Sequence, residues 1–196
     1  MMKQLVLASN NAKKLKELGA LLDPLGIQLI PQGQLDIPEA EEPFPTFVEN
    51  ALAKARHAAH LSGLPALADD SGLCVRALGG APGVLSARYA GEPRSDERNN
   101  THLLQALVNH TDRAAHFVSV LVLVRHAEDP QPMIAEGNWH GEILAAARGK
   151  DGFGYDPLFW VPAASKSAAE MAPQEKNVCS HRAIAMQKLL TQLADL

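Results

Sequence analysis

Cysteine is scarce in this 196-residue chain: Cys74 and Cys179 stand far apart and form no CxxC pair. That excludes a disulfide framework and a four-ligand zinc site, and it points to a reducing, cytoplasmic setting. No excess of positive charge exists either, since 18 basic and 22 acidic residues give a net charge of -4. A general binder of nucleic-acid backbone needs a basic surface, so any phosphate this chain binds must meet a local site. Long apolar runs are missing as well. The longest, Phe117 to Val124, is interrupted by Ser119 and falls well short of the roughly 20 residues of a membrane helix. At the N-terminus the apolar stretch breaks into Ser9-Asn10-Asn11 before a signal-peptide core forms, so it reads as a first strand.

What is present suits one domain. A chain of this length buries about 70% of the surface its unfolded form exposes, enough for a core without staples. Lys3 to Ala8 reads as a strand covered on both faces, Asn11 as the cap of a helix carrying Leu15, Leu18, Leu21 and Leu22, and Ile27 to Ile30 as a second strand. Four prolines among acids make residues 31 to 45 a loop or a weak edge segment. Thr46 to Glu49 is a capping box that opens a helix ended by Ser62-Gly63. Ala66 to Ala68 should be a strand with Asp69-Asp70-Ser71-Gly72 at its end, followed by a further extended segment from Leu73. Ser95 caps a helix through Leu107, Phe117 to Val124 is a buried strand, and Met133 to Ala135 and Trp139 to Leu144 look extended. Leu158 to Val161 follows a Gly-rich loop, and a closing helix should turn Ile184, Leu189, Leu190 and Leu193 inward. The pattern predicts a single α/β domain, residues 1–196, around a mixed sheet.

Four segments carry candidate chemistry. Ser9, Asn10, Asn11, Ala12, Lys13 and Lys14 follow the first strand and open a helix, so small polar side chains, free N-terminal amides and lysines could converge on a phosphate. Asp70 of the Asp-Asp-Ser-Gly segment, with Glu41 or Glu42, offers the hard oxygen ligands of Mg²⁺, which takes one or two carboxylates plus water and substrate phosphates. The glutamates read equally well as solvated loop charges. Lys150 to Pro157, with Phe153, Gly154, Tyr155 and Asp156, offers an aromatic surface to stack a base, or else a turn anchored by its own aromatics. Lys176 with Ser180, His181 and Arg182 supplies donors for oxygen acceptors, or a solvated helix face. His57 and His60 sit three apart on one helix, but no third metal ligand accompanies them, and they read as surface residues.

Together these segments resemble the inosine triphosphate pyrophosphatase family, which removes non-canonical purine nucleoside triphosphates. The resemblance runs through Ser9-x-Asn11-x-x-Lys14, Phe47-x-Glu49-Asn50-Ala51-x-x-Lys54-Ala55, Ala68 to Leu73, Leu78 to Gly83, Ser86 to Tyr89, Gly152 to Pro157, Glu175 to Asn177 and Ser180 to Arg182. It implies an elongated mixed β-sheet flanked by helices with a central substrate cleft. It also implies a cytoplasmic, Mg²⁺-dependent homodimer that cleaves ITP, dITP and XTP to the monophosphate and pyrophosphate, cleansing the nucleotide pool. By the same resemblance Ser9, Asn11, Lys14 and Lys54 would hold the triphosphate. Glu41 or Glu42 and Asp70 would hold Mg²⁺, with Asp70 also the proton acceptor. Ser71 would contact substrate, and Phe153 to Asp156, Lys176, His181 and Arg182 would form the base pocket. The chain departs from the family pattern at Arg76, Leu85 and Lys150-Asp151; only the last adjoins the base loop, where it bears on substrate preference. Rival readings are a Maf-like pyrophosphatase of modified pyrimidines and a regulatory module that binds nucleotide without cleaving it.

Overall fold

A computed structural model describes Gln4 to Ala194, so Lys3, the expected start of the first strand, lies outside the described residues. Seven strands form one sheet in the order β2-β1-β3-β4-β5-β6-β7. They are β1 (Gln4–Leu7), β2 (Gln28–Pro31), β3 (Ala66–Val75), β4 (Ala114–Val124), β5 (Met133–Ile143), β6 (Phe159–Val161) and β7 (Lys166–Ser167). Five helices accompany them: α1 (Ala12–Leu22), α2 (Phe47–Ser62), α3 (Asp96–Ala106), α4 (Pro173–Cys179) and α5 (His181–Ala194). The sheet is mixed: β1 runs parallel to β2 and β3, whereas β6 runs antiparallel to β5 and β7. Among the described residues no helix is long and apolar enough to cross a membrane.

The chain divides into two compact units. The first comprises Met1–Asp70, Ser119–Gly137 and Arg182–Leu196. Its core gathers Leu5, Leu7, Leu67, Leu121 and Leu123 from strands with Leu18 and Leu22 of α1 and Met186 and Leu189 of α5. Each such side chain contributes about 1.5–3 kcal/mol on burial. Leu189 is fully buried and Leu190 and Leu193 pack against this core as expected, whereas Ile184 is only half-buried and Ala185 and Met186 fill the core in its place. The second unit comprises Ser71–Val118 and Asn138–His181. Its core is aromatic: Phe117, Trp139, Tyr155 and Phe159 pack with Leu73, Leu103, Leu107 and Leu158.

The helix starts follow the sequence signals. Asn11 accepts the amides of Lys13 and Lys14, Thr46 accepts that of Glu49, and Ser95 that of Arg98. β3 is the main departure, for it continues unbroken through Asp69, Asp70, Ser71 and Gly72 instead of ending before them. Carboxylates are costly inside a strand unless each finds partners, and both do. β5 likewise is one strand of 11 residues where two separate extended segments were expected.

Candidate active site

Successive side chains of a strand point to opposite sides, so Asp69 and Asp70 serve two different groups. Asp69 is 1% exposed. Its carboxylate accepts from Lys14 Nζ at 3.0 Å, from Arg182 Nε at 3.0 Å and from the Ser119 hydroxyl at 2.8 Å. Burial alone would raise its pKa, but Lys14, Arg182 and the Ser119 hydroxyl outweigh burial and hold it well below the ordinary carboxylate range. Burial pushes the Lys14 ammonium down, against the pull of Asp69, and the nearby Arg182 and Lys54 charges add to the fall. Arg182 is 4% exposed and donates from Nη1 to Glu17 at 2.9 Å, so its guanidinium links α1, β3 and α5.

Asp70 meets Lys54. The Lys54 ammonium donates to Asp70 Oδ1 and to Glu42 Oε1, both at 2.7 Å. Burial raises the Asp70 pKa and prevails over the lowering by Lys54, while for Lys54 the two carboxylates prevail over burial and raise it. Lys14 and Lys54 each also donate to the main-chain carbonyl of Asp69 at 3.2 Å, so both ammonium groups meet on one oxygen. Glu42 reaches Lys54 because Asn50, one helical turn before Lys54 on α2, grips both the N–H and the C=O of Phe44 at 3.0 Å. That clamp fixes the proline-rich loop, leaving Glu41 exposed and Glu42 half-buried against Lys54.

The opening segment is more self-contained than expected. Asn11 takes the amides of Lys13 and Lys14, and the Ser9 hydroxyl accepts from the Asn11 amide at 3.1 Å, so these helix-terminal amides are occupied and not free. Asn10, Ala12 and Lys13 lie exposed beside them, and Lys14 alone of the group turns in to Asp69. His57 bonds the Pro38 carbonyl at 3.0 Å and His60 is exposed, as surface residues.

In the second unit Ser71 continues β3 half-buried. The loop Gly152 to Asp156 is fixed from several directions. Asp156, buried, accepts from Lys176 Nζ at 2.6 Å and from the Phe153 amide at 3.1 Å. Tyr155 is buried with its hydroxyl on the Ser86 carbonyl at 2.8 Å, and burial pushes its pKa up. Gly152 must be glycine for two reasons: its φ is +81°, and a Cβ there would meet Asp156 Oδ2 at 2.2 Å. His181 stacks on Phe117 with ring centres 5.0 Å apart and planes at 16°. Lys176, Asp156, Phe153 and His181 thus belong to one unit, while Arg182 belongs to the other.

The donor set suits a hard divalent cation of Mg²⁺ type only in part-protein coordination. Two carboxylates, Asp70 and Glu42, converge on one point now held by the Lys54 ammonium, and among the described residues no group of three or more His, Cys, Asp or Glu could hold a metal. Mg²⁺ accepts that arrangement, because water and substrate phosphates fill its remaining positions.

Residues outside the expected set shape these groups. Ser119 and Glu17 secure Asp69 and Arg182, and Asn50 sets the acidic loop. Ser119 left a trace in the sequence as the single polar interruption of the most apolar run, and Asn50 as a member of the motif that carries Lys54, whereas Glu17 left none.

Comparison with known proteins agrees in extent. A sequence model described as the Ham1 family matches residues 5–192. A relative from Aromatoleum aromaticum named dITP/XTP pyrophosphatase is 65% identical over 97% of this chain and 96% of its own. One of the same name from Ralstonia nicotianae is 63% identical over 98% and 97%. Among solved structures, a HAM1 protein from Coxiella burnetii is 50% identical with a TM-score of 0.94, covering 100% of both chains. The Staphylococcus aureus Ham1 protein is 39% identical with a TM-score of 0.89, covering 98% of this chain and 99% of its own. The two-carboxylate, two-lysine cluster therefore sits in a fold shared along its whole length with these proteins, and the chain belongs to the Ham1 family.

Proposed function

We propose that this chain is a Mg²⁺-dependent pyrophosphatase of non-canonical purine nucleoside triphosphates, converting dITP, XTP and ITP to the monophosphate and pyrophosphate. The observation that carries the reading is the convergence of Lys14 and Lys54 on the Asp69 carbonyl with Asp70 and Glu42 alongside, on a chain 65% identical to a dITP/XTP pyrophosphatase. Anion-binding cations and metal-binding carboxylates in one cluster are what triphosphate cleavage requires.

Lys14 and Lys54 neutralise the triphosphate, with Ser9 and Asn11 beside the first of them. Asp70 and Glu42 hold the cation, which when bound supplies charge neutralisation and polarises phosphoryl oxygens. Asp70 accepts the proton of the attacking water. Phe153 to Asp156, Lys176 and His181 read the base. Lys176 and His181 offer donors to the 6-oxo group of hypoxanthine or xanthine, where adenine presents a donor of its own. An unpaired buried polar group costs about 1–3 kcal/mol, enough for roughly five- to 150-fold discrimination. Arg182 contributes by holding Asp69, its bonds to Asp69 and Glu17 supporting a positioning role over direct base contact.

The family match across residues 5–192 supports one pyrophosphatase domain, and the family resemblance supports a cytoplasmic homodimer. Pyrophosphate release from ITP, XTP, dITP, ATP and GTP, with Mg²⁺ and with chelator, tests the reading. Mg²⁺-dependent release from the first three with little from ATP and GTP is the expected result, and saturable binding without turnover would replace the enzyme by a nucleotide sensor.

A further inference from the structure

The helix α3 lies outside every motif assigned above, yet two of its side chains, one helical turn apart, hold a single residue of the base loop. Asn100 donates from Nδ2 to the Gly154 carbonyl at 2.8 Å, and Asp96 accepts from the Gly154 amide at 2.7 Å. Positions i and i+4 share a helix face, so α3 grips both main-chain polar groups of one residue. Gly154 has φ of +59°, a conformation few other residues adopt, and it follows Phe153 directly. The neighbouring Asn99 repeats the device on a second loop: its amide donates to the Ser86 and Ala87 carbonyls at 3.3 and 3.1 Å and accepts from the Ala90 amide at 2.8 Å. Ser86 in turn receives the Tyr155 hydroxyl. Two residues of the Phe153–Tyr155 segment are thereby referred to α3, Gly154 directly and Tyr155 through Ser86. The loop is pinned at the Phe153 amide, both polar groups of Gly154, the Tyr155 hydroxyl and the Asp156 carboxylate.

We propose that Asn100, seconded by Asp96, is a positioning residue for nucleobase recognition: by fixing the Gly154 peptide it sets the ring of Phe153 in place before substrate arrives. The inference rests on the proposed function and deepens it. Ordering a loop in advance removes an entropic cost from binding, so the loss of Asn100 appears in affinity for the base and not in the phosphate chemistry. Asn100 is half-buried and Asp96 exposed, so Asn100 carries the larger share.

The test compares wild type with Asn100→Asp, which keeps the shape but sets an acceptor against the Gly154 carbonyl, and with Asp96→Ala and Asp96→Asn. Steady-state kinetics on ITP are measured together with the inhibition constant of inorganic tripolyphosphate, a probe with no base. Asn100→Asp should raise KM for ITP by about tenfold with kcat and tripolyphosphate inhibition unchanged. Asp96→Ala should raise KM about threefold, and Asp96→Asn, which still accepts from the Gly154 amide, should restore most of that loss. If Asn100→Asp does not fold, the Asp96 pair carries the comparison. Unchanged KM in the variants of an ITP-cleaving enzyme overturns this inference alone, as does weakening of tripolyphosphate inhibition in step with KM. A wild-type chain that leaves ITP intact overturns the proposed function and this inference with it.

Discussion

The two units solve the same problem, holding a reactive surface in place, by opposite means. In the first, charges hold charges: Asp69 is surrounded by Lys14, Arg182 and Ser119, and Asp70 and Glu42 share Lys54. In the second, main-chain groups are held by amide, hydroxyl and carboxylate side chains and rings stack on rings. Asn99, Asn100 and Tyr155 bond carbonyls, and His181 lies on Phe117. The Lys176–Asp156 pair is the one buried charge pair there among the described residues. The difference matches the two chemistries of a nucleotide. A polyanion is best met by charges already fixed in place, whose mutual cost was met on folding, whereas a flat, uncharged base is best met by a rigid aromatic surface.

Substitutions that strike one unit should therefore change one kind of measurement. The largest effect falls on turnover. Asp70→Asn removes the proposed proton acceptor and should lower kcat by about 10²–10⁴-fold while circular dichroism and Tm stay close to wild type; near-normal kcat would take Asp70 out of that role. Next is stability. Asp69→Ala leaves Lys14 and Arg182 without their shared carboxylate, and urea unfolding should show a loss of about 3–5 kcal/mol. A loss below 1 kcal/mol would mean the cluster relaxes easily and the contrast between units is superficial.

Acid should act on the same residue. Its native carboxyl holds its proton far more weakly than the unfolded one, so its stabilisation is complete above the usual carboxylate pKa near 4 and drains away as pH falls towards the native value. The urea midpoints of wild type and Asp69→Asn should consequently converge between about pH 5 and pH 2, and parallel curves would sever that link. In the second unit, Phe153→Ala should leave stability and tripolyphosphate inhibition alone and raise KM for ITP by about five- to 150-fold, the worth of a base–aromatic stack. An effect of similar size belongs to Ser119→Ala, about 1.5–3 kcal/mol from one hydroxyl donated to a buried carboxylate, read by urea unfolding.

Local structure was legible wherever it depends on near neighbours. Asn11, Thr46 and Ser95 cap the expected helices, and Gly63 ends the second in a left-handed turn. The aspartates of β3 were misread as a strand end because the rule that charges avoid strand interiors assumes no partners. Their partners come from residues as distant in sequence as Lys14, Ser119 and Arg182. Arg182 shows the same limit. Its partners Asp69 and Glu17 stand 113 and 165 residues away in sequence. That Glu42 and not Glu41 meets Lys54 likewise turns on Asn50 gripping Phe44, which no spacing reveals.

The Asp69 carbonyl oxygen accepts from two ammonium groups, those of Lys14 and Lys54. Two like charges held on one atom repel, and the ease with which Lys14 gives up its proton records part of that repulsion. An arriving polyanion cancels it and restores the proton's hold. Anion binding and proton uptake are thus one linked event: in alkaline solution the protein should draw protons from the buffer as it fills, and its affinity for phosphate chains should fall as pH rises.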